Sequence, residues 1–340
     1  MINQWILVTG GAGYIGSHIV FLLHTQQYNV IVIDKKQPHA VQERVLYMQG
    51  DYGNTTLLQE IFQKYPVSAV IHCAAYIEVG ESVKNPALYY ENNVIKTFQL
   101  LEQMRAHAIQ TLIFSSSCAV YGIPHFLPLT EQHACKPISP YGNTKYMIEL
   151  LLADYARAYD LRYIALRYFN VAGAQVDAGL GEMHQPESHI IPLLLQAAVD
   201  NKPFTVFGDD YATADGTCVR DYVHVSDLAQ AHEQALVYCQ NNQAAESINV
   251  GIGWGYSVKE VIAVIEQVTG KKIEVHYTAR RAGDPAILIA DASRAAAVLG
   301  WQPCFITLIP LIESAYQFYI KTKEPMKRQQ ALKVQETEKN

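Results

Sequence analysis

Residues 139–149 read SPYGNTKYMIE, with Tyr141 and Lys145 four positions apart. In a helix that spacing puts both side chains on one face. A lysine ammonium beside a tyrosine favours the phenolate, which makes the pair a candidate general base. A free phenol titrates near 10, so bringing Tyr141 to neutrality requires roughly 4 kcal/mol, at about 1.36 per unit. Two nearby cations in a water-poor cleft can supply that. Ser117 closes the run TLIFSSS (111–117), at the C-terminal end of a strand, where open α/β sheets place ligands. Its hydroxyl can donate to a substrate oxygen or relay its proton to Tyr141. A tyrosine–lysine pair is common on helix surfaces, so its meaning depends on its neighbours.

The N-terminal stretch WILVTGGAGYIGSH supplies a second chemistry. It ends a strand-like run in Gly10-x-x-Gly13-x-x-Gly16 and opens a helix. Such glycines permit a tight turn and let the backbone approach a pyrophosphate, which the helix N-terminus then attracts. A second strand, NVIVID, ends in Asp34, 18 residues past Gly16. An acid there suits a ribose 2′-hydroxyl and repels a 2′-phosphate, so NAD is expected rather than NADP, with adjacent Lys35 and Lys36 weighing the other way. The positive ring of oxidised NAD would be the second cation that Tyr141 needs.

Positioning these groups requires an alternating scaffold. WILVTG (5–10), NVIVID (29–34), SAVIHCAA (68–75) and TLIFSSS (111–117) are apolar throughout, as strands buried on both faces of a parallel sheet are. Helix-like segments fall between them at 14–26, 56–65 and 87–107. A further helix runs from Tyr141 to Tyr159, before a strand at 161–168. The order predicts an α/β fold, a Rossmann-like doubly wound parallel sheet, with a smaller C-terminal α/β substrate lobe. The expected boundaries are an NAD-binding domain at 1–172, a nucleotide-sugar lobe at 173–322 and a polar tail at 323–340.

Composition narrows the class further. The 340 residues are 50% apolar and carry a net charge of −6, with no basic run, which gives no reason to expect nucleic acid or an anionic membrane as partner. No apolar stretch reaches 18 residues, and strand-like sequence begins by residue 5, so neither a membrane span nor a signal peptide is expected. The six cysteines form no CxxC pair and suit a reducing cytoplasm as free thiols. None of the 12 histidines falls in a metal-ligand pattern such as HExxH, and no metal is expected.

The three-glycine spacing together with YxxxK resembles the extended short-chain dehydrogenase/reductase superfamily, and within it the UDP-glucose 4-epimerases. Matching stretches cover almost all of 5–320: VTGGAGYIGSH, QGDY (49–52), VGESVKNPALYYENNV (79–94), FSSSCAVYG (114–122), SPYGNTK, LRYFNVAGA (166–174), FGDDYATADGTCVRDYVHVSDLA (207–229) and RRAGDPAILIADASRA (280–295). The resemblance implies an isomerase that oxidises C4 of a UDP-sugar to a ketone, turns the sugar over, and returns the hydride to the other face. NAD would stay tightly bound and be regenerated at each turnover. Ser117, Tyr141 and Lys145 would be catalytic. Gly10, Gly13, Tyr14, Ile15, Gly16, Asp34, Asp51, Tyr52, Cys73, Ala74, Ala75, Asn93, Ser115 and Tyr168 would bind cofactor, with Tyr141 and Lys145. Arg220 and Arg281 would hold the diphosphate, Asp284 the uridine ribose, and Thr205 and Phe207 the uracil. Asn170, His189 and Ile190 would contact sugar and phosphates, beside Ser117 and Tyr141. The resemblance also implies a homodimer through the helices around 87–107 and 143–159.

Two positions depart from the family pattern. Ile77 replaces a frequent lysine, which weakens the expected grip on NAD. Leu288 is intermediate where a large aromatic excludes N-acetyl groups and a small residue admits them. UDP-N-acetylhexosamine or UDP-pentose epimerisation is therefore the alternative substrate reading. A 4,6-dehydratase would need an acid pair beside the catalytic Ser/Thr, where Cys118-Ala119 stands here. A non-catalytic NAD-sensing module is the alternative of a different class, disfavoured because Ser117, Tyr141 and Lys145 are all present.

Overall fold

The apolar runs pair into one parallel sheet in the computed structural model, which describes residues 4–38, 42–281 and 283–337. Its strands are β1 (Trp5–Thr9), β2 (Asn29–Asp34), β3 (Val45–Gln49), β4 (Val67–His72), β5 (Thr111–Ser115), β6 (Arg162–Tyr168) and, much later in the chain, β10 (Ala245–Val250). The spatial order is β10-β6-β5-β4-β1-β2-β3. The winding reverses between β1 and β4, the switch point at which doubly wound sheets open a crevice.

Strand residues alternate between two cores. Ile6 and Val8 face α1 (Tyr14–Thr25) and α8 (Val225–Asn241), whereas Leu7 faces α2 (Thr55–Lys64), α5 (Lys96–Ala106) and α6 (Pro140–Tyr159). All five β5 residues are buried, which explains why its sequence lacks polar alternation. Ser139 caps α6 by accepting from Gly142 N at 3.1 Å, and Pro140 opens the helix, so Tyr141 lies in its first turn. Left-handed Asp160, at φ +57°, ends it.

Two features depart from the sequence pattern. The helix expected over 87–107 is broken into α4 (Pro86–Tyr89), a π segment (Tyr90–Ile95) and α5. The wider turn carries Asn92 and Asn93 into the interior, where both are buried and hydrogen bonded. Strand β3 was not anticipated, because at the sheet edge VLYMQ is only half-buried.

Beyond residue 168 the chain builds a second layer from short pieces. β7 (Asn170–Ala172), β9 (Val219–His224), β11 (Gly255–Ser257) and β13 (Ile287–Leu288) form a four-stranded sheet around β9. β8 (Phe204–Phe207) pairs in parallel with β12 (Val275–Thr278). Helices α7 (Ile190–Asp200), α9 (Val258–Thr269) and α10 (Leu308–Thr337) enclose this lobe's core. Between β9 and β11 the chain returns to the large sheet through α8 and β10, so residues 225–250 serve the first layer. The polar tail sequence at 323–337 continues α10, and 338–340 lie outside the described residues.

Candidate active site

The glycine turn connects β1 to α1 at the switch point. Gly10 has φ +73°, and a Cβ there would sit 2.7 Å from Ala74 N at the end of β4. A Cβ on Gly16 would meet Gly10 O at 2.1 Å. Gly13 caps α1 with no side-chain acceptor and no acidic residue follows in the first turn, leaving the helix N-terminus to an incoming anion. Gly11, which the spacing argument omitted, is required too: its Cβ would lie 2.7 Å from Val32. At the β2 terminus Asp34 accepts from Ala12 N at 3.0 Å and Lys36 N at 2.9 Å, so its carboxylate is anchored beside the loop. This cradle, closed to any side chain and edged by an acid, fits a dinucleotide with a free ribose 2′-hydroxyl.

Neighbouring residues are tied to this crevice. Asp51 receives Lys96 Nζ at 2.6 Å and Lys35 Nζ at 3.1 Å. Partial burial alone would raise its carboxyl, but Lys96, the Gly53 N–H and Lys35 hold it below the usual range. Lys35, which the sequence left as a possible 2′-phosphate ligand, is thereby committed to Asp51. Tyr52 donates to Asn92 O and packs its ring 4.9 Å from His72. Asn93 brackets the backbone of Tyr76, accepting from its N–H at 2.9 Å and donating to its carbonyl at 3.0 Å, and also reaches Thr144. Half-buried Ile77 follows in the same loop, as do Ala74 and Ala75 before it. Tyr14 sends its hydroxyl away, to Gly173 O at 2.7 Å, and half-buried Ile15 joins the core.

Ser117, Tyr141 and Lys145 converge at the end of β5, 8%, 7% and 2% exposed respectively. Lys145 Nζ donates to Ser115 O at 2.8 Å and lies 5.8 Å from the Tyr141 ring centroid. Burial pulls this ammonium down to about 8, against the opposing pull of Cys73 and Glu149. Burial pushes the Tyr141 phenol up to about 12, which the Ser117 hydroxyl only partly offsets. Lys145 alone, directed at a carbonyl and 5.8 Å from the ring centroid, does not offset that burial. Ser117 Oγ also accepts from Ala119 N at 3.2 Å, capping a short 3₁₀ turn.

The cluster reaches the glycine loop through its neighbours. Ser115 Oγ lies 3.3 Å from Cys73 Sγ and 2.9 Å from His232 Nε2, and Cys73 precedes the Ala74 that abuts Gly10. Burial raises the Cys73 and Cys118 thiols to about 11 and 12, so neither is a thiolate at neutral pH. Tyr168, at the end of β6, is also pushed upward, first by burial and then by Tyr141.

The second lobe presents a charged wall to this cluster. Arg220 on β9 donates to the Asp284 carboxylate and, at 2.7 Å, to Val219 O. Leu288 on β13 is in register with Arg220, and packs with Val120, Tyr121, Phe169 and Cys118 beside the Ser117 turn. Arg281 stacks 4.1 Å over exposed Phe207, two residues from exposed Thr205 on β8. Asn170 lies on β7 opposite Tyr222. His189 and Ile190 form the N-terminus of α7. Burial disfavours the charged His189 ring, yet the Glu182 and Glu187 carboxylates raise it to about 10. All the anticipated diphosphate and nucleoside residues thus belong to one lobe, although 205 and 284 stand far apart in sequence.

Several contributors gave no sequence signal. Asp221, hidden between Arg220 and Tyr222, accepts from Ile252, Gly253 and Ala290 N–H groups, 31 to 69 residues away. Glu149, four residues past Lys145, forms a buried bidentate pair with Arg167 and receives Ser116 Oγ at 2.5 Å. Its helical spacing from Lys145 was the only available hint.

The switch-point crevice and glycine cradle define a dinucleotide-binding α/β protein. Residues 6–251 match the model of the NAD dependent epimerase/dehydratase family, and the chain belongs to that family. It is 45% identical to a UDP-glucose 4-epimerase of Rhizobium leguminosarum bv. trifolii over 95% of this chain and 100% of the relative. Its structure resembles UDP-glucose 4-epimerase from Brucella ovis in complex with NAD, at TM-score 0.87 and 46% identity over 92% and 97% of the two chains. It also resembles the Bifidobacterium longum enzyme in complex with NAD+ and UDP, at TM-score 0.89 and 37% identity over 94% and 99%.

Proposed function

We infer that this chain is an NAD-dependent UDP-glucose/UDP-galactose 4-epimerase. The observation that carries this reading is the buried Ser117/Tyr141/Lys145 cluster, set between a glycine cradle and an arginine-lined nucleotide wall. NAD, when bound, takes up the C4 hydride and gives it back, so inversion involves no net redox change. Tyr141, aided by Ser117, removes the proton from the sugar 4-hydroxyl and later restores it. Lys145, anchored on Ser115 O, offers its remaining protons to the cofactor ribose. Arg220 and Arg281 grip the diphosphate, and Phe207 and Asp284 the nucleoside, while the sugar itself stays loosely held. That division of labour lets the 4-keto sugar present either face at C4. Leu288, packed with Val120 and Tyr121 in the turn that follows Ser117, closes the C2 side of the pocket and favours hexoses without an N-acetyl group.

Exposed Ile95, Phe98, Met147 and Leu150 support a homodimer through the π segment with α5, and α6, to be checked by light scattering. Among the described residues no helix is long and apolar enough to cross a membrane. The free cysteines suit a reducing cytoplasm.

The test is a coupled assay with no added NAD, offering UDP-galactose and UDP-N-acetylgalactosamine separately. Turnover of the first alone supports the reading. Turnover of both would make Leu288 permissive, and turnover of neither, even with NAD supplied, would remove it.

A further inference from the structure

Four side chains converge in the loop before α7: Glu182, His184, Glu187 and His189. Glu182 Oε1 lies 2.6 Å from His189 Nδ1 and 3.1 Å from His184 Nδ1. Glu187 Oε1 lies 3.5 Å and 3.9 Å from the same two nitrogens. All four donor atoms fall within 4.8 Å of one another. Ligands held at about 2.0–2.2 Å around a tetrahedral zinc ion lie about 3.4 Å apart, and the observed spacings straddle that value. Two imidazoles and two carboxylates are a donor set that zinc accepts and that magnesium, which prefers oxygen and water, does not.

Charge balance points the same way. The Glu182 side chain is only 8% exposed and Glu187 only 17%. Among the described residues neither carboxylate has a lysine or arginine partner within ion-pair distance; the histidines are their only basic neighbours. Buried carboxylates require a counter-charge. Glu187 Oε1 also accepts from the Ser188 and His189 N–H groups, at 2.8 and 2.9 Å. His189 Nδ1 is buried yet makes no hydrogen bond of acceptable geometry, despite the carboxylate oxygen at 2.6 Å.

We propose that Glu182, His184, Glu187 and His189 form a binding site for one zinc ion per chain. The proposal does not depend on the epimerase reading. Bound there, the ion would pin the 182–189 loop to the start of α7. The loop is already tied to the β4–α3 connection (α3, Val79–Lys84), where Ser188 Oγ donates to Glu78 at 2.7 Å.

The test uses untagged full-length protein carrying its cofactor, treated with EDTA, desalted and titrated calorimetrically with zinc chloride. Magnesium chloride is the control. One equivalent bound at micromolar affinity or tighter, with magnesium silent, is expected. His184→Ala and Glu187→Gln should each weaken zinc binding at least tenfold and abolish the rise in Tm that zinc gives the parent protein. If His184→Ala does not fold, the near-isosteric Glu187→Gln decides alone. No zinc binding by the parent, equal binding of magnesium, or unchanged affinity in the folded variants would show an ion-pair cluster only, and overturn the proposal.

Discussion

The crevice at β1–β4 and the wall around β9 are built in different ways. The crevice is made of backbone: glycines emptied of side chains, strand ends, and a helix N-terminus. The wall is made of side chains delivered by short strands at 170, 219 and 287, held together by pairs such as Arg220–Asp284 and by the Asp221 carboxylate. The first depends on the absence of atoms at a few positions. The second depends on long-range partners meeting. Substitutions should therefore fail sharply and locally in the crevice, but in a graded way along the wall.

The largest effect should come where the two regions meet. Tyr141→Phe removes the proton acceptor and should lower kcat about 10²- to 10⁴-fold with KM little changed, measured in the coupled assay. Full activity in this variant would leave the cluster without its chemistry. Next, Gly16→Ala forces a methyl against Gly10 O, 2.1 Å away, and the loop must shift. Overpacking of this kind costs about 1–3 kcal/mol, so NAD retention through gel filtration should fall about 10- to 100-fold. Retention equal to the parent would show that the crevice tolerates side chains after all.

On the wall, Arg220→Met should raise KM for the UDP-sugar about tenfold or more with kcat less affected, because charge-assisted hydrogen bonds contribute about 1.5–3 kcal/mol. A pure kcat defect would place Arg220 in the chemistry instead. The smallest effect concerns pH. Burial raises the Asp221 carboxyl to about 6, against its three N–H donors. A folded-state value above the unfolded one contributes stability below pH 4 that is lost as pH rises through about 6. Urea unfolding of the parent minus that of Asp221→Asn should therefore show a difference that shrinks between pH 4 and pH 6. A difference that grows with pH would reverse the assignment.

How much was legible follows the same division. The strand runs at 5–10, 29–34 and 111–117 were readable because burial on both faces demands continuous apolar sequence. The π segment at 90–95 and the edge strand at 45–49 were not, since the first is a local rewinding around Asn92 and Asn93 and the second is only half-buried. Tyr141 and Lys145 announced themselves by spacing. Their protonation did not, because it depends on desolvation, and no spacing reports how far water is excluded.

The sequence by itself determined the dinucleotide cradle, the apolar strands of the parallel sheet and the catalytic candidates, because each rests on a local requirement: a missing Cβ, a periodicity, one helical turn. Only the tertiary structure decided that Lys35 belongs to Asp51, that Asp221 latches the 252–253 turn and Ala290 to β9, and that Leu288 packs with Val120 and Tyr121. It also turned two histidines and two glutamates, which match no familiar metal spacing, into a converging donor set. Contacts of that kind depend on where distant segments come to rest, and no short stretch of chain encodes that position.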